Sequence, residues 1–458
     1  MKKEEHPIIK EKKHKARRRS IQEGIFAGAS QAFGARYFSP FAIAINSSNS
    51  LVAMLSSISG LLGPFTQLFS SRLIEKHSRK KIVRNAIFIE VLMWIPIIIT
   101  AILFHKGIIT NILPIMFLLF FGLHLISANS AGPAWFSWMG DIVDEEYRGR
   151  WFSKRNLLVG FVIAILAILS SFLLDYFKKI ELAMIGFIIL FSLAMISRFI
   201  SWRVFKKQYE PKIKLKKDYY FSFFSFLSKS TKTNFGKFSI FRAFLSFSTA
   251  IAGSLIAVYL LRNLNFSYKT YMIITLSGTI FSLSVLELWG KIADEFGNYK
   301  VMVISSLFIF PIPILYIISA SPIYLILVPS IIGATAWAGF NLAAGNFIYD
   351  NISSEKRGLA VSYHHMLNGI GTFLGAGLGA ILIKFIHTGI TPIITIFIIS
   401  SFLRFSTIIL GLPYIKEIKD KKTSSKKTLE KLILKETKPT LIEESQQLMS
   451  IKKYIFEK

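Results

Sequence analysis

The feature that most constrains this chain is the alternation of apolar runs with short charged breaks. The runs are about 20 residues long or longer, which lets a helix cross the roughly 30 Å hydrocarbon layer of a bilayer. They are apolar on all sides, whereas a helix in a soluble core keeps a polar face. The chain has a mean hydropathy of +0.50 over 458 residues, and 52% of them are hydrophobic. The sequence therefore predicts a polytopic α-helical membrane protein.

We expect twelve membrane-spanning helices. Residues 301–349 contain no charged side chain and are too long for one span, so they must form two, divided near Ser321 and Pro322. Twelve spans place both ends of the chain on the same side of the membrane. The predicted spans cover residues 22–45, 49–71, 83–104, 111–139, 155–176, 181–203, 238–261, 268–290, 301–320, 323–349, 359–385 and 390–412.

The distribution of basic residues predicts the orientation of these spans. One side of the membrane receives 45 of the 55 Lys and Arg residues, in the two tails, the central segment and the loops on that side. The loops on the opposite side hold six: Lys106, Lys178, Lys179, Arg262, Lys269 and Lys384. Because cytoplasmic loops are enriched in Lys and Arg, we expect both termini to be cytoplasmic and the protein to lie in the cell membrane.

This topology divides the chain into five segments. A basic tail, residues 1–20, which we expect to be disordered, precedes a six-helix bundle, residues 21–204. A central linker, residues 205–237, leads to a second bundle, residues 238–412, and a further tail, residues 413–458. Within the linker, residues 219–227 are aromatic and too short to span. We interpret them as an interfacial helix, the alternative being an early start of the next span.

The net charge of +29 has a bearing on partners. The basic residues follow the predicted cytoplasmic surface, so we expect them to contact anionic lipids and not nucleic acid. The chain has no cysteine, which excludes disulfides and thiolate metal sites. The sequence has no nucleotide-binding loop, nucleophile with a base or metal-ligand cluster. It therefore predicts a protein without catalytic activity or cofactor, and we expect a monomer.

Two charged loop motifs occur once in each half of the chain. The first motif spans Ser71 to Lys81 and recurs from Gly290 to Lys300. The second is D-x6-R-G, found from Asp141 to Gly149 and again from Asp350 to Gly358. The offset between copies is 219 residues for the first motif, counted between its carboxylates, and 209 for the second. Two motifs at nearly one offset indicate an internal repeat of the kind found in membrane transporters.

Both copies of the first motif match the loop signature G-x-x-x-D-[RK]-x-G-R-[RK], and the chain resembles the major facilitator superfamily over residues 22–413. The resemblance implies an all-α fold of twelve transmembrane helices in two pseudo-symmetric six-helix bundles. It also implies a secondary active transporter of a small solute, a symporter or antiporter that works by alternating access and uses a proton or solute gradient. The competing class is a lipid scramblase or a receptor on the same scaffold, with a lipid-facing polar groove or with binding but no transport.

The resemblance further implies that the loop motifs form cytoplasmic gates, in which an arginine and a carboxylate meet an acid at the end of the fourth span. The first copy has Ser71 and Ser78 in place of both glycines. In the second copy Asn298 stands where the arginine should be, which makes a charged relay doubtful there. The alternative is that both loops are simple turns. The gate candidates are Glu75, Arg79, Asp141, Arg148, Gly290, Asp294, Gly297, Asp350 and Arg357.

In this fold the first, fourth, seventh and tenth helices line the cavity. Arg36 is therefore a candidate group for binding an anion, unless it snorkels to the outer headgroups. Amide and aromatic side chains near the middle of the fourth and tenth spans can bind a small polar cargo or hold helices together. The cavity candidates are Gln31, Arg36, His124, Asn129, Trp337 and Asn341.

Other charged residues within the spans have more than one interpretation. Glu90 and Glu287 are candidates for carrying a coupled proton. Glu287 can alternatively pair with Arg242 as a structural link between neighbouring helices. Arg198 and Arg404 lie near inner helix ends, so we expect them to snorkel toward the headgroups.

Overall fold

The computed structural model describes residues 6–74, 76–144, 148–211, 222–352, 354–386 and 391–417. All regular secondary structure in this part of the chain is helical. The helices of the first half are α1 (Pro7–Phe33), α2 (Phe38–Ala44), α3 (Asn49–Leu73), α4 (Arg79–His105), α5 (Leu113–Ser130), α6 (Gly132–Ile142), α7 (Arg148–Lys179) and α8 (Ala183–Lys206).

The second half follows after a short helix in the linker. Its helices are α9 (Phe223–Ser230), α10 (Asn234–Gly253), α11 (Ile256–Val258), α12 (Tyr268–Ser284), α13 (Leu286–Phe296), α14 (Asn298–Ile309), α15 (Ile312–Ile318), α16 (Pro322–Leu325), α17 (Ile331–Asn351), α18 (Ser354–Phe385) and α19 (Pro392–Gly411).

The spans predicted from the sequence can be matched to these helices. Within the described ranges, ten helical stretches are long and apolar enough to cross a membrane, and the bent pair of α12 and α13, at 42°, is an eleventh. The remaining predicted span, residues 22–45, is divided between the end of α1, a 3-10 turn at Ala35–Tyr37 and α2. These elements account for all twelve predicted spans.

The amino-terminal tail is helical where it is described, so the expectation of disorder was wrong for residues 7–20. These residues continue directly into the first span as one helix, α1. Arg17 pairs with Asp144 at 3.1 Å, and the side-chain amide of Gln208 donates to the carbonyl oxygen of Ala16 at 3.0 Å. Tertiary partners therefore stabilise a basic segment that composition alone indicated to be unstructured.

The chain divides into two compact units. The first unit comprises Met1–Asp218, Ser254–Met272 and Thr372–Phe385, and the second comprises Tyr219–Gly253, Ile273–Gly371 and Ile386–Lys458. The first unit thus combines the amino-terminal half with two short segments of the carboxyl-terminal half.

Aromatic rings form part of the core of the first unit. The ring of Phe38, at the start of α2, lies 5.4 Å from those of Trp94 and His124 and 5.2 Å from that of Phe121. Trp94 is only 1% exposed, and its ring packs against the backbone of Gly34, where any larger residue would collide with it. This close approach explains why α1 can end beside α4 at a glycine.

The linker helix α9 packs against the second unit. The hydroxyl of Ser222 caps it by accepting from the backbone N–H of Ser225 at 3.1 Å. The ring of Phe226 lies 5.8 Å from that of Tyr363 and 5.9 Å from that of Phe235. Because α9 ends before α10 begins, it is a separate helix and not an early start of the next span. The first residues of the predicted interfacial segment, 219–221, lie outside the described residues.

Two spans of the second half contain a wide π-helical turn. The turns are Tyr259–Asn263, after α11, and Ile326–Ser330, before α17. The second contains Pro329, which has no N–H to continue a regular α-helical ladder.

Candidate functional site

A polar cluster forms around Arg79 at the predicted cytoplasmic end of the first unit. Ser78 caps α4, its hydroxyl accepting from the backbone N–H of Lys81 at 3.2 Å, and so places Arg79 in the first turn. The Arg79 side chain is 1% exposed, and its Nη1 donates to Asp141 Oδ2 at 2.6 Å and to the carbonyl oxygen of Ser137 at 2.9 Å. The structure thus brings together two of the predicted gate residues.

The segment that follows α8 completes this cluster. The carboxylate of Glu210 accepts from the backbone N–H of Lys80 at 3.2 Å and lies 3.9 Å from Arg79. The carbonyl oxygen of Gln208 accepts from Lys80 Nζ at 2.8 Å, and that of Tyr209 accepts from the indole of Trp138 at 2.9 Å. A carboxylate is favourable at the start of a helix, where backbone N–H groups lack partners.

The second unit contains the equivalent cluster. Asn298, in the first turn of α14, donates from Nδ2 to Asp350 Oδ2 at 3.1 Å. Asn346 donates to Asn298 Oδ1 at 3.2 Å, and Glu417 accepts from the backbone N–H of Tyr299 at 2.7 Å. Each of these positions lies 207 to 219 residues after its counterpart in the first unit.

The asparagine that appeared to disrupt the second motif therefore keeps its contact. An amide and a carboxylate are joined in place of a guanidinium and a carboxylate. Glu210 and Glu417, the acids that follow the last helix of each half, were missed in the sequence because they lie outside the two loop motifs. The offset of 207 residues between them was the available signal.

The other gate candidates have different positions. Arg148 donates to the carbonyl oxygen of Gly140 at 2.8 Å, across the second motif. Gly297 has φ +96° and forms the turn between α13 and α14. Gly290 and Asp294 lie on α13. Glu75 and the side chain of Arg357 lie outside the described residues.

At the opposite, predicted outer end, residues of the first half bind backbone groups of the second half within the first unit. The carboxylate of Asp175 accepts from the backbone N–H groups of Tyr268 and Lys269, at 2.8 and 2.9 Å, and so caps α12. The hydroxyl of Ser50 donates to the carbonyl oxygen of Ala380 at 2.7 Å.

Two further contacts belong to this outer contact set. The guanidinium of Arg262 donates to Asn49 Oδ1 at 2.5 Å and to the carbonyl oxygen of Ser47 at 2.6 Å. The hydroxyl of Ser57 donates to the carbonyl oxygen of Phe373 at 2.8 Å. Sequence reasoning identified none of these residues as a site, because a polar residue near a helix end has no distinctive pattern.

A network of buried ion pairs lies inside the first unit. Arg198 donates from Nη2 and Nε to Glu90 Oε2, at 2.6 and 2.8 Å, and Arg155 pairs with Glu23 at 3.1 Å. The expectation that Arg198 snorkels was wrong, since its side chain is 11% exposed and reaches inward to Glu90. The serine hydroxyl of Ser201 donates to Glu23 at 3.3 Å and adds to the network.

This network borders a cavity of about 920 Å³ in the first unit. Its wall collects four predicted residues, Gln31, Glu90, His124 and Asn129, together with Trp94 and other residues of α1, α3, α4 and α5. His124 is 4% exposed, and no described residue hydrogen bonds to either of its ring nitrogens. Asn129 Oδ1 accepts from Gln67 at 3.2 Å, so this amide also links helices. Arg36 lies outside this wall, in the 3-10 turn Ala35–Tyr37.

The second unit has a separate cavity of about 600 Å³, with Trp337 and Asn341 in its wall. The proposed pairing of Arg242 with Glu287 was wrong. Arg242 donates to Asn341 Oδ1 at 3.2 Å, whereas Glu287 pairs with Lys291, one turn along α13, at 3.0 Å. A partner at i+4 on the same helix is available to Glu287 without the reach across helices.

Arg404 also differs from its expected position. It is 5% exposed, and its guanidinium donates to the carbonyl oxygens of Ile309, at 3.1 Å, and Thr249, at 3.2 Å. Arg404 therefore joins three helices of the second unit and does not snorkel to the headgroups.

Comparisons with known proteins agree with this architecture. The family model described as Major Facilitator Superfamily matches residues 24–285 and 238–453. The solved structure of the nucleoside transporter NupG is similar to this chain, with a TM-score of 0.66 and 14% identity over 88% of this chain and 99% of that one.

Two other solved structures are comparably similar. A bacterial homologue of the iron transporter ferroportin, in an inward-facing state, has a TM-score of 0.67 and 14% identity, over 88% of this chain and 99% of that one. An auto-inhibited peptide transporter of the POT family has a TM-score of 0.65 and 11% identity, over 89% of this chain and 99% of that one. No curated protein sequence matches the chain. At these identities the structural likeness concerns the fold alone. With the family model covering most of its length, the chain belongs to the major facilitator superfamily and is a multi-pass membrane transporter with the twelve-helix fold of that family.

Proposed function

We propose that this protein is a secondary active transporter that moves a small solute across the membrane by alternating access. The observation that carries the proposal is the outer contact set. There, side chains of the first half hold backbone groups of Ser254–Met272 and Thr372–Phe385, two segments that belong to the second half of the sequence. An outward opening of the solute path requires these contacts to separate.

The chemistry of the outer contact set suits a reversible closure. Each neutral hydrogen bond stabilises the closed form by about 0.5–1.5 kcal/mol, and each bond to a charged group by about 1.5–3 kcal/mol. Water can replace every partner when the contacts separate, since none of them is a large apolar surface. The closed and open forms therefore differ by only a few kcal/mol, as a cycling transporter requires.

The Arg79 cluster and the Asn298 cluster are the proposed counterparts at the cytoplasmic end. Each holds a loop motif to the acid after its fourth or tenth span through one short polar contact. Such contacts stabilise the loop while they exist and become hydrated when the loop moves. We assign Asp141 and Asp350 the role of acceptors in these inner gates, and Arg148 that of a brace within the second motif.

The solute site of the first half is proposed to be the 920 Å³ cavity. Its wall presents hydroxyl, amide and imidazole groups beside aromatic rings, which is the composition of sites for small polar ligands. Gln31, His124 and Asn129 are the proposed contacts, with Trp337 and Asn341 serving the cavity of the second half. The nucleoside, iron and peptide transporters that share the fold carry chemically different cargoes, so they do not select one for this chain.

Coupling to a gradient is proposed to involve Glu90. Its carboxylate borders the cavity and is held by Arg198, so a proton on Glu90 would remove the charge that keeps Arg198 in place. Protonation can in this way change the cavity wall. Glu287 is a weaker candidate, because it is 44% exposed and already paired with Lys291.

The experiment that tests alternating access uses the absence of native cysteine. Ser50→Cys with Ala380→Cys places two thiols where a 2.7 Å hydrogen bond now joins the two segments. After reconstitution into proteoliposomes, uptake from a metabolite and drug panel is measured with and without a pH gradient, before and after oxidation. We expect oxidation to abolish uptake and a reductant to restore it. Each single-cysteine variant is the control, and undiminished uptake by the cross-linked protein would refute the proposal.

A further inference from the structure

We propose that Arg242 binds an anionic group of the cargo, a carboxylate or a phosphate, in the second unit. This inference rests on the proposed transport function. It adds to that function the charge class of the solute and the residue that recognises it.

The second half of the chain has almost no negative charge within its spans. The six predicted spans between residues 238 and 412 contain a single acidic residue, Glu287, and two arginines, Arg242 and Arg404. Glu287 pairs with Lys291. The helices that surround Arg242 therefore supply no carboxylate for it, and a cation in a low-dielectric site is costly unless it is paired.

The immediate contacts of Arg242 leave part of its guanidinium unused. Nη2 donates to Asn341 Oδ1 at 3.2 Å. Nη1 is buried, and no described residue accepts a hydrogen bond from it. The guanidinium carbon lies 5.1 Å from the centre of the Trp337 ring and 4.9 Å from that of Phe340. These rings hold the cation in place by cation–π attraction but do not neutralise its charge.

Other arginines within the two units have the partners that Arg242 lacks. Arg155 and Arg198 each pair with a buried glutamate. Arg404 uses both of its terminal nitrogens to bind backbone carbonyl oxygens of neighbouring helices. Those three side chains fit a structural role. Arg242 has one neutral acceptor, which an incoming oxyanion can displace or share.

The surroundings of Arg242 favour an anion over any other ligand. His364 and His365 on α18 are both within electrostatic range of Arg242. His365 is exposed, and His364 is held by Ser239 and Asn368, each at 2.9 Å. The site thus presents a guanidinium, an imidazole and an amide without a carboxylate among the described residues. A guanidinium binds carboxylate or phosphate through two parallel hydrogen bonds.

The position of Arg242 indicates a soluble anion. Its partners Trp337 and Asn341 both line the 600 Å³ cavity, and the side chain of Asn341 is exposed. A lipid phosphate offers the same chemistry, so a separate arm of the experiment distinguishes the two sources.

The experiment measures thermal unfolding of the purified full-length protein in a neutral detergent. Inorganic phosphate and acetate are the probes, each compared with chloride at equal ionic strength. We expect both probes to raise the Tm of the native protein by about 2 °C or more at saturation. Arg242→Gln should lose this rise and Arg242→Lys should keep part of it. Arg203→Gln, which removes an exposed arginine stacked on Phe199, should keep all of it.

Several outcomes would overturn the proposal. They are no rise in the native protein, an equal rise in Arg242→Gln, and a rise lost in Arg36→Gln in place of Arg242→Gln. In the lipid arm, phosphatidylglycerol is added to the same samples. Stabilisation by this lipid alone, dependent on Arg242, would refute a soluble ligand.

Two features keep the result interpretable. Arg242→Gln removes an unpaired charge, so we expect its Tm without ligand to equal or exceed that of the native protein, and misfolding would be visible in the same trace. The measurement detects binding without transport. A protein that binds anions through Arg242 yet fails the cross-linking test would refute alternating access and leave the anion site standing.

Discussion

The side-chain amide of Asn298 donates a hydrogen bond to the carboxylate of Asp350 across 3.1 Å. At the equivalent place in the first half, Arg79 contacts Asp141 across 2.6 Å. The two halves therefore keep one contact with and without a formal charge on the donor. Since a hydrogen bond from a charged donor is about twice as strong as a neutral one, the first half has the stronger inner gate.

The difference between the two gates predicts unequal effects of neutralising their acceptors. We expect Asp141→Asn to slow transport several-fold and to change solute affinity little, because the residue acts on the gate and not on the site. Asp350→Asn should have a smaller effect, since its partner is already neutral. Initial uptake rates and binding constants of the two variants check this. Unchanged turnover in Asp141→Asn would contradict the role of a gate.

The carboxylates that follow each half predict a loss of stability. Glu417→Ala removes the acceptor for the backbone N–H of Tyr299, and we expect a loss of about 1 kcal/mol in the free energy of unfolding. Glu210→Ala should cost more, because Glu210 also lies 3.9 Å from the buried Arg79. Thermal unfolding of both variants provides the measurement. Equal stability of Glu417→Ala and the native protein would show that the contact does not stabilise α14.

The two glycines of the second loop motif should respond differently to the same substitution. Gly297 has φ +96°, and an added Cβ would come 2.6 Å from Glu417 Oε2. We expect Gly297→Ala to cost about 1–3 kcal/mol through backbone strain, and more if Glu417 is displaced. Gly290→Ala is the matched control, since its Cβ would meet no atom within 4 Å and alanine favours the helix. Chemical denaturation compares the two, and equal stability would rule out a strained turn.

The ion pair in the cavity wall predicts a coupled effect on stability and transport. Glu90→Ala leaves Arg198 without its closest partner, and breaking a buried pair from one side costs about 3–5 kcal/mol. Glu90→Gln keeps the shape, and we expect it to retain solute binding but to lose the dependence of uptake on a pH gradient. Glu287→Gln, at an exposed pair, should leave that dependence intact. A pH-driven uptake that survives in Glu90→Gln would remove Glu90 from the coupling scheme.

The fold was largely predictable from the sequence because its main determinant is local. The length and composition of each apolar run decide whether it can span a bilayer, and neither depends on the rest of the chain. The paired loop motifs likewise predicted the contact of Arg79 with Asp141, since both residues belong to recognisable patterns.

The partners of isolated charged residues were less predictable. Arg198 and Glu90 are 108 residues apart and neither belongs to a motif, so only the packing of α4 against α8 brings them together. Arg242 and Glu287 failed in the opposite sense. Their charges are complementary, but Lys291 lies one turn from Glu287 and is the nearer partner.

The wide turns at Tyr259–Asn263 and Ile326–Ser330 have a mechanical consequence. A rod with one slack winding flexes there first, because the amide ladder on both sides of that winding is stiffer. The first of these turns contains Arg262, which anchors it to Asn49. When that anchor lets go, the upper part of this helix can tilt without dragging its lower part along, so that one end of the protein can reshape while the other keeps its form.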